Sequence, residues 1–397
     1  MPTVPGFPRE LLAQPSAARL AHFVGKVVAH PRLKAVHHAL LNAIRQPMGA
    51  PLVLVVGPTG VGKTTLRLRI EQQLMEEALP DLAQDPSRIP VVAVEAAAPE
   101  SGQFNWKDYY TRALMALDEP LVAHKVDYAT WGLRRDGRGR IAIKRGAATP
   151  ELRLALEQCL RYRRPAAFIV DEAQHLKKMA SGRRLLDQMD TLKSLAAMTG
   201  TVHVLVGTYE LLGLANLSAQ LSRRSIEIHF GRYQAESADD LLAFQSVVLT
   251  FQRHLPLAGE PDLIGQWQYL YEGSAGCIGV LKSWLNRALA AALDLGEPTL
   301  TRRRLERQAA PARKLISLVR EIKEGEEALR DDARERDHLR TLLGLEDGPA
   351  PFGAAKANAA ASMEPAARRP RRPGGRAAQR RPTRDPVGQG RPEHGPA

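Results

Sequence analysis

The sequence predicts an α/β fold built on a five-stranded parallel sheet and followed by a helical region. Between residues 28 and 235, short β-branched runs alternate with helical segments, which is typical of a parallel sheet covered by helices. From 236 to 345, apolar residues recur at helical spacing without a strand-like run, and this predicts a small helical domain. Residues 346–397 consist mainly of Pro, Gly, Ala and Arg, so we expect a disordered basic tail.

Each predicted strand is a brief apolar run of the length that buried parallel strands have. The runs are Pro51–Val56, Val91–Glu95, Ala167–Asp171, Val202–Gly207 and Ile226–Phe230. Residues 1–27 combine four prolines with an apolar stretch, and we expect an N-terminal arm that leads into a helix. The predicted organisation is therefore an arm (1–27), an α/β domain (28–235), a helical domain (236–345) and a tail (346–397).

The composition excludes several classes of protein. The 397 residues include 56 Lys and Arg against 43 Asp and Glu, a formal charge of +13 that favours a polyanionic partner. Two separated cysteines, Cys159 and Cys277, exclude a disulfide scaffold and a Cys-type zinc site. We find neither a signal peptide nor an 18-residue apolar run, so we expect a cytoplasmic protein without a membrane partner.

A phosphate-binding loop follows the first predicted strand. The segment from Gly57 to Thr64 matches G-x-x-x-x-G-K-[ST] at every fixed position, with a strand before it and a helix after it. We expect the loop to bind ATP through backbone N–H groups, Lys63 to contact the β- and γ-phosphates, and Thr64 to bind Mg²⁺. The predicted nucleotide-binding residues are Gly57, Pro58, Thr59, Gly60, Val61, Gly62, Lys63, Thr64 and Thr65.

Two acidic residues end the apolar strand at Ala167–Asp171. Asp171 stands where a carboxylate would hold Mg²⁺, and Glu172 where a general base would polarise the attacking water. Paired acids at a strand end also serve as helix caps. A glutamate directly after the metal-binding aspartate indicates that the protein hydrolyses the nucleotide and does not only bind it.

Three further positions are candidates for the same site. Thr208 follows the next strand, where it would bond the γ-phosphate or the water, or else cap the following turn. Arg223 and Arg224 precede the last strand and would reach a neighbouring subunit's γ-phosphate, although surface arginines usually have no such role. Lys282 opens a helix of the second domain and would contact phosphate, or else be an ordinary solvated lysine.

Taken together, these features resemble an AAA+ ATPase, and within that superfamily the TniB/TnsC family of transposition regulators. The closer resemblance rests on the Ile169–Leu176 segment and on His30-Pro31-Arg32 with a helix before the loop strand. It implies a Walker A motif at Lys63 and Thr64, and a Walker B motif at Asp171 and Glu172. By the same resemblance, Thr208 is sensor 1, Arg223 or Arg224 is the arginine finger, and Lys282 approximates sensor 2.

The family resemblance also implies partners. It predicts ATP-dependent assembly of the chain with itself, as a hexameric ring or helical filament, on double-stranded DNA. The assembly would mark target sites together with a target-site recruiter protein, and would recruit or activate a DDE transposase.

DNA contacts are expected after the second strand, where the resemblance directs attention to residues 97–148. Residues 134–145 contain six basic side chains and one acidic one, and Asp136-Gly137 predicts a hairpin tip. A basic hairpin would bind phosphates without reading sequence, whereas a solvated charged loop would have no partner. The candidate DNA-binding residues are Lys107, Arg134, Arg135, Arg138, Arg140, Lys144 and Arg145.

Two other functions fit parts of the pattern. A helicase loader or replication-initiator relative would also bind ATP and DNA. A STAND-type signalling NTPase would share the ATPase module, but such proteins generally carry long repeat arrays, and the sequence after the module here has no internal repeat. We therefore expect an ATP-hydrolysing regulator of DNA transposition.

Overall fold

The computed structural model describes residues 6–98, 104–117, 133–135, 141–143, 149–177, 183–215, 225–330 and 333–345. Residues up to Arg330 belong to one compact unit, and those from Asp331 onward to a second. In the second unit, a helix at Ala333–Leu342 is described. The rest of this section concerns the first unit.

Five strands of the described residues form a parallel sheet, which confirms the predicted fold class. They are β1 (Leu52–Val56), β2 (Val91–Glu95), β5 (Ala167–Asp171), β6 (Val202–Gly207) and β7 (Ser225–His229), in the spatial order β2-β5-β6-β1-β7. The register pairs Val56 with Gly207 and Val170 with Leu205. The carboxyl ends of β1, β5 and β6 therefore lie side by side at one edge of the sheet.

Alternate side chains of each strand pack on opposite faces of the sheet. Leu52 and Leu54 of β1 belong to one buried cluster, whereas Val53 and Val55 belong to another. Both faces are covered by helices, which explains why the strands read as continuous apolar runs. The helices of this unit are α1 (Ser16–Gly25), α2 (Pro31–Arg45), α3 (Lys63–Gln84), α4 (Trp106–Ala116), α5 (Thr149–Arg163), α6 (Arg183–Thr199), α7 (Leu212–Ala215), α8 (Ala238–His254), α9 (Trp267–Ser274), α10 (Ile278–Asp294), α11 (Arg302–Gln308) and α12 (Ala312–Ala328).

The helices after β7 have a core of their own, centred on Phe244, Phe251 and Trp284. Phe23 of α1 is fully buried in this core, and Arg19 donates a 2.9 Å hydrogen bond to the Pro256 carbonyl. The N-terminal segment thus packs on the helical region. Of the helices in the described ranges, none combines the length and apolar composition that crossing a bilayer requires.

A second, two-stranded sheet joins β3 (Leu133–Arg135) to β4 (Ile141–Ile143) in antiparallel register. This antiparallel pairing agrees with a hairpin in this segment. The predicted tip at Asp136-Gly137 lies outside the described residues, as do the rest of 136–140 and residues 144–148. The candidate DNA-binding residues Arg138, Arg140, Lys144 and Arg145 are therefore not placed by the structure.

Candidate active site

The phosphate-binding loop joins β1 to α3 and needs glycine at particular positions. Gly60 and Gly62 have φ values of 78° and 113°, in the region that side chains disfavour. A Cβ at position 57 would lie 2.2 Å from the Phe230 carbonyl oxygen, so only glycine fits there. Helix α3 begins at Lys63, and the loop therefore ends at a helix N-terminus, where backbone N–H groups and the helix dipole favour anions.

Lys63 lies buried within this loop. Its ammonium donates hydrogen bonds to the carbonyls of Gly57, at 3.0 Å, and Pro58, at 2.9 Å. Burial lowers the pKa of Lys63, and the charges of Glu172 and Asp171 act in the opposite direction. The side chain is therefore within electrostatic reach of both predicted catalytic carboxylates.

Asp171, the last residue of β5, is held on both carboxylate oxygens. Its Oδ2 accepts a hydrogen bond from Arg67 Nε at 3.1 Å, and its Oδ1 accepts one from the Glu172 backbone N–H at 2.9 Å. Arg67 lies one helical turn beyond Lys63 and also pairs with Glu71. Arg67 thus ties the helix that follows the phosphate loop to the acidic end of β5.

Glu172 has an unusual backbone conformation. Its φ of 51° is in the left-handed region, which residues other than glycine seldom adopt. The chain turns here from β5 into the 3₁₀ helix at Ala173–Lys177. Local strain of this kind is concentrated at functional sites. The Glu172 carboxylate accepts a hydrogen bond from the side-chain amide of Gln174.

Thr208 directly follows β6 and occupies the N-cap position of the 3₁₀ helix at Tyr209–Leu211. Its side chain makes no capping hydrogen bond. Its backbone N–H donates to Gln174 Oε1 at 3.2 Å. The capping interpretation weighed for this threonine therefore does not describe what its hydroxyl does.

The helical region closes over the phosphate loop through the first turn of α10. The Val280 backbone N–H donates a 3.0 Å hydrogen bond to the Gly60 carbonyl. A Cβ at position 279 would lie 2.5 Å from the same oxygen. Beside this contact is a cavity of about 120 Å³. Its lining includes Val27, His30, Val61, Thr65 and Ile278.

Lys282 also lines this cavity, but its ammonium contacts the N-terminal helix. It donates to the Phe23 carbonyl and lies 3.4 Å from the centroid of the Phe23 ring. Burial, followed by the nearby charge of Lys26, lowers the pKa of Lys282 to about 7. The suggested contact with phosphate stays a prediction.

Helix α12 returns from the helical region to the sheet near Thr208. A Cβ at Gly325 would lie 2.1 Å from Cγ of Tyr209, so the helix touches this ring closely. Glu326 accepts two hydrogen bonds from the Arg232 guanidinium, at 3.0 and 3.1 Å. Ile322 is fully buried, in a small cluster with Cys277. Helix α12 therefore packs against both the sheet edge and the helical region.

The remaining predicted residues fall into three groups, and the first lies at the phosphate loop. Thr64 and Thr65 lie on the first turn of α3. Lys107 is exposed on the first turn of α4, because that helix begins at Trp106 and is capped by Asn105. Arg134 and Arg135 belong to β3, and nothing is described of their side chains. Arg223 and Arg224 lie outside the described residues.

Sequence reasoning missed three side chains that organise the site, namely Arg67, Gln174 and Arg232. Arg67 stands four residues after Lys63, which places both on one face of α3 and was a usable signal. Gln174 stands inside the segment that carried the family resemblance, but without an assigned role. Arg232 pairs with a residue 94 positions away, and no local pattern indicates such a partner.

A family model described as an AAA domain matches residues 45–214. The matched range contains the phosphate loop, Asp171, Glu172 and Thr208. These residues stand at or directly after the carboxyl ends of β1, β5 and β6, three neighbouring strands of the parallel sheet. The fold is that of AAA+ P-loop ATPases.

Several solved structures are similar to this chain. The ORC1 protein of Aeropyrum pernix, solved in complex with DNA, is 16% identical and matches 74% of this chain and 68% of its own, with a TM-score of 0.49. The ORC2 protein of the same organism, in ADPNP–ADP complexes, is 16% identical over 86% of this chain and 88% of its own, with a TM-score of 0.44. CDC6P from Pyrobaculum aerophilum is 18% identical over 72% and 68%, with a TM-score of 0.46. Comparison with curated proteins gave no match.

Proposed function

We propose that this chain binds ATP with Mg²⁺ and hydrolyses it to ADP and phosphate. One observation carries the proposal: the ends of three neighbouring strands bring a buried lysine, two carboxylates and a threonine together. Lys63 is within electrostatic reach of Asp171 and Glu172, and Gln174 links Glu172 to Thr208. Phosphoryl transfer depends mainly on positioning and on stabilising charge, and this arrangement supplies both.

Each side chain then has a specific task. Lys63 exchanges its bonds to the loop carbonyls for phosphate oxygens and stabilises the charge that develops on them. Glu172 accepts the proton of the attacking water, and the Thr208 hydroxyl contacts that water or the γ-phosphate. Arg223 or Arg224 of a neighbouring copy would complete the site by stabilising the charge on the γ-phosphate.

The residues present suit Mg²⁺. Thr64 and Asp171 offer a hydroxyl and a carboxylate, and Mg²⁺ prefers oxygen ligands supplied by one or two protein groups together with phosphates and water. Within the described ranges there is no group of three His, Cys, Asp or Glu side chains that would hold a metal ion alone. When bound, Mg²⁺ neutralises phosphate charge. Arg67 keeps the Asp171 carboxylate in place for it.

The cavity between the phosphate loop and α10 is where we place the nucleoside of ATP. Its walls are largely apolar side chains from the segment before α2, together with Val61 and Ile278. Thr65 borders it from the loop side, so a base in this cavity would be continuous with phosphates on the loop. Lys282 lines the cavity and would contact the nucleotide from this side.

Steady-state ATP hydrolysis and binding of a fluorescent ATP analogue test the proposal on the full chain. Lys63→Ala should weaken nucleotide binding at least about 10-fold, because a charge-assisted contact to phosphate is lost. Glu172→Gln should bind ATP normally but lose at least about 100-fold in kcat, as removal of a general base does. Lys314→Ala, an exposed substitution on α12, is the matched control. Rapid hydrolysis by Glu172→Gln would exclude Glu172 as the base.

For the biological role, we propose a regulator of DNA transposition that assembles with ATP on double-stranded DNA as a ring or filament. A DDE transposase and a target-site recruiter would be its partners. Support comes from the Ile169–Leu176 segment and from the basic hairpin at 134–145. The alternative is a helicase loader or replication initiator, which the AAA+ fold accommodates equally well.

Two experiments separate these roles. Negative-stain imaging with DNA and a non-hydrolysable ATP analogue should reveal assemblies that Lys63→Ala cannot form. Normal assemblies from Lys63→Ala would contradict ATP-dependent assembly. A strand-transfer assay with a DDE transposase should then show stimulation by this chain. Stimulation of helicase loading instead would favour the alternative role.

A further inference from the structure

Gln174 bridges two candidate catalytic residues on neighbouring strands. Its side-chain nitrogen donates to the Glu172 carboxylate, and its side-chain oxygen accepts from the Thr208 backbone N–H at 3.2 Å. Gln174 is 7% exposed and belongs to the 3₁₀ helix that follows β5. One side chain is thus hydrogen-bonded to both residues.

The chemistry of the two partners determines the orientation of this amide. An ionised carboxylate only accepts hydrogen bonds, and a backbone N–H only donates. The opposite amide orientation would place two acceptors together at Glu172 and two donors together at Thr208. The side chain therefore has one orientation that satisfies both ends.

The surrounding backbone leaves room for this bridge. A Cβ at position 207 would lie 2.5 Å from Gln174 Oε1, so a side chain at the end of β6 would displace the amide. Glycine at position 207 is therefore required by the bridge. At the other end, the left-handed φ of Glu172 turns the chain so that residue 174 faces back toward its carboxylate.

We infer that Gln174 is a positioning residue that holds the Glu172 carboxylate in a constant relation to Thr208. The inference rests on the proposed ATP hydrolysis. In the proposed hydrolysis, Glu172 acts on the attacking water, and Thr208 acts on that water or on the γ-phosphate that it attacks. The two residues stand at the ends of different strands, so their relative placement decides whether water and phosphate are aligned. A hydrogen-bonded carboxylate samples fewer orientations than an isolated one, and correct orientation is a major source of rate.

A positioning role and a purely structural role for Gln174 predict different effects when the side chain is removed. A structural glutamine would, when removed, weaken folding and nucleotide binding together. A positioning glutamine instead affects kcat and leaves KM for ATP nearly unchanged, because its hydrogen bonds go to Glu172 and Thr208 and not to the phosphate loop. Its effect should also depend on the presence of the Glu172 carboxylate.

The test is steady-state ATP hydrolysis by the full chain, with nucleotide affinity and Tm measured for every variant. Gln174→Leu should lower kcat by about 10- to 100-fold, the scale of a misplaced catalytic group, with KM within about threefold of wild type. Gln174→Glu is nearly isosteric and keeps an acceptor for Thr208, but it places a second carboxylate against Glu172. It should lose at least as much activity.

Gln72→Leu is the matched control, since Gln72 is an exposed glutamine that also donates to a glutamate carboxylate, that of Glu76. Its kcat should equal that of wild type. The double variant Glu172→Gln with Gln174→Leu should be no slower than Glu172→Gln alone, because the bridged carboxylate is already gone.

Several results would overturn the inference. If both Gln174 variants have the kcat of wild type while Glu172→Gln is inactive, Gln174 is not a positioning residue. The proposed ATP hydrolysis would still stand. A fall in Tm and in ATP affinity that accounts for the lost activity would show a structural role instead. Additive losses in the double variant would also contradict the bridge. If the wild-type chain fails to hydrolyse ATP, the proposed function and this inference fall together.

Discussion

The carbonyl of Gly60, at the tip of the phosphate loop, accepts a hydrogen bond from the backbone N–H of Val280, at 3.0 Å. This bond attaches the first turn of α10 directly to the loop. The helical region and the phosphate loop are therefore coupled through backbone atoms, independently of any side chain. A substitution that displaces the backbone at either residue should therefore alter nucleotide binding.

Gly279→Ala tests this attachment. The new Cβ would lie 2.5 Å from the Gly60 carbonyl, which must move because backbone cannot rotate away. Overpacking of this kind costs about 1–3 kcal/mol, so we expect a lower Tm and about 10-fold weaker ATP binding. Gly25→Ala is the control, since nothing lies within 4 Å of a Cβ there. Equal Tm and equal ATP affinity in the two variants would show that the contact between Gly279 and Gly60 does not contribute to stability or to nucleotide binding.

Glu326→Gln tests how α12 is held. The variant keeps the shape of the side chain but removes the negative charge that faces Arg232, in a pair whose side chains are only 10% and 12% exposed. We expect a loss of about 1–3 kcal/mol in the free energy of unfolding, measured by urea titration. The neighbouring pair of Glu327 with Arg330 is 67% and 71% exposed, so Glu327→Gln should change stability by less than about 0.5 kcal/mol. Comparable losses of unfolding free energy in Glu326→Gln and Glu327→Gln would contradict a special contribution of the buried pair to stability.

Lys282 predicts a pH dependence of stability. Burial lowers its pKa in the folded protein to about 7, from the ordinary lysine value of 10.5. Between these values the unfolded chain binds the extra proton, so the contribution of Lys282 to stability increases with pH, by at most about 1.4 kcal/mol per pH unit. Below pH 7 both states carry the proton and the contribution is constant.

The measurement for Lys282 is the difference in unfolding free energy between wild type and Lys282→Met from pH 6 to 10. The difference should shift in favour of wild type above about pH 7, in line with its lowered pKa. The charge of Lys26 acts on Lys282, and that of Lys282 acts on His254; Lys26 and His254 are present in both proteins. Lys314→Met, an exposed control, should show no such trend. A flat difference for Lys282→Met would contradict the lowered pKa.

The basic hairpin predicts salt-sensitive DNA binding. Reversing Arg138 and Arg140 to Glu should weaken binding to double-stranded DNA and reduce the slope of log Kd against log salt by about 2, because two phosphate contacts are lost. Affinity for ATP should not change. The control reverses two exposed arginines of α12, Arg313 and Arg320, and alters net charge equally. Unchanged DNA affinity in the hairpin variant would eliminate the hairpin as a DNA contact.

The basic tail is a separate contributor to DNA binding. Residues 351–397 hold 10 Lys and Arg against 3 Asp and Glu, so more than half of the net charge of +13 lies there. Deletion of 351–397 should remove non-specific affinity and leave the effect of the hairpin variant intact. If deletion abolishes all DNA binding, the hairpin has no independent role.

The sheet was predictable from the sequence because its signals are local. Buried parallel strands must be short continuous apolar runs, and three of the five predicted strands, including Val202–Gly207, have the observed bounds, while the other two differ by one residue. The phosphate loop was predictable for a similar reason. Its glycines meet backbone requirements that hold wherever a strand turns into a helix around an anion.

The partners of individual side chains were not predictable in this way. Lys282 was expected near phosphate, but its ammonium contacts Phe23, 259 positions earlier in the chain. The role of Gln174 depends on β6 lying beside β5, which no pattern within its own segment reveals. Helix α12 packs on the sheet where Gly325 contacts the ring of Tyr209. These two residues are far apart in the sequence, so no local pattern predicts their contact.

The sequence by itself determined the strands, the phosphate loop and the acidic pair, because each follows from backbone geometry and side-chain alternation within a few residues. The tertiary structure decided which side chains meet at the site. Such meetings depend on how distant segments pack, and the free energy of that packing is a property of the whole fold. Glu172 and Thr208 are therefore both recognisable alone, but only the assembled sheet joins them through Gln174.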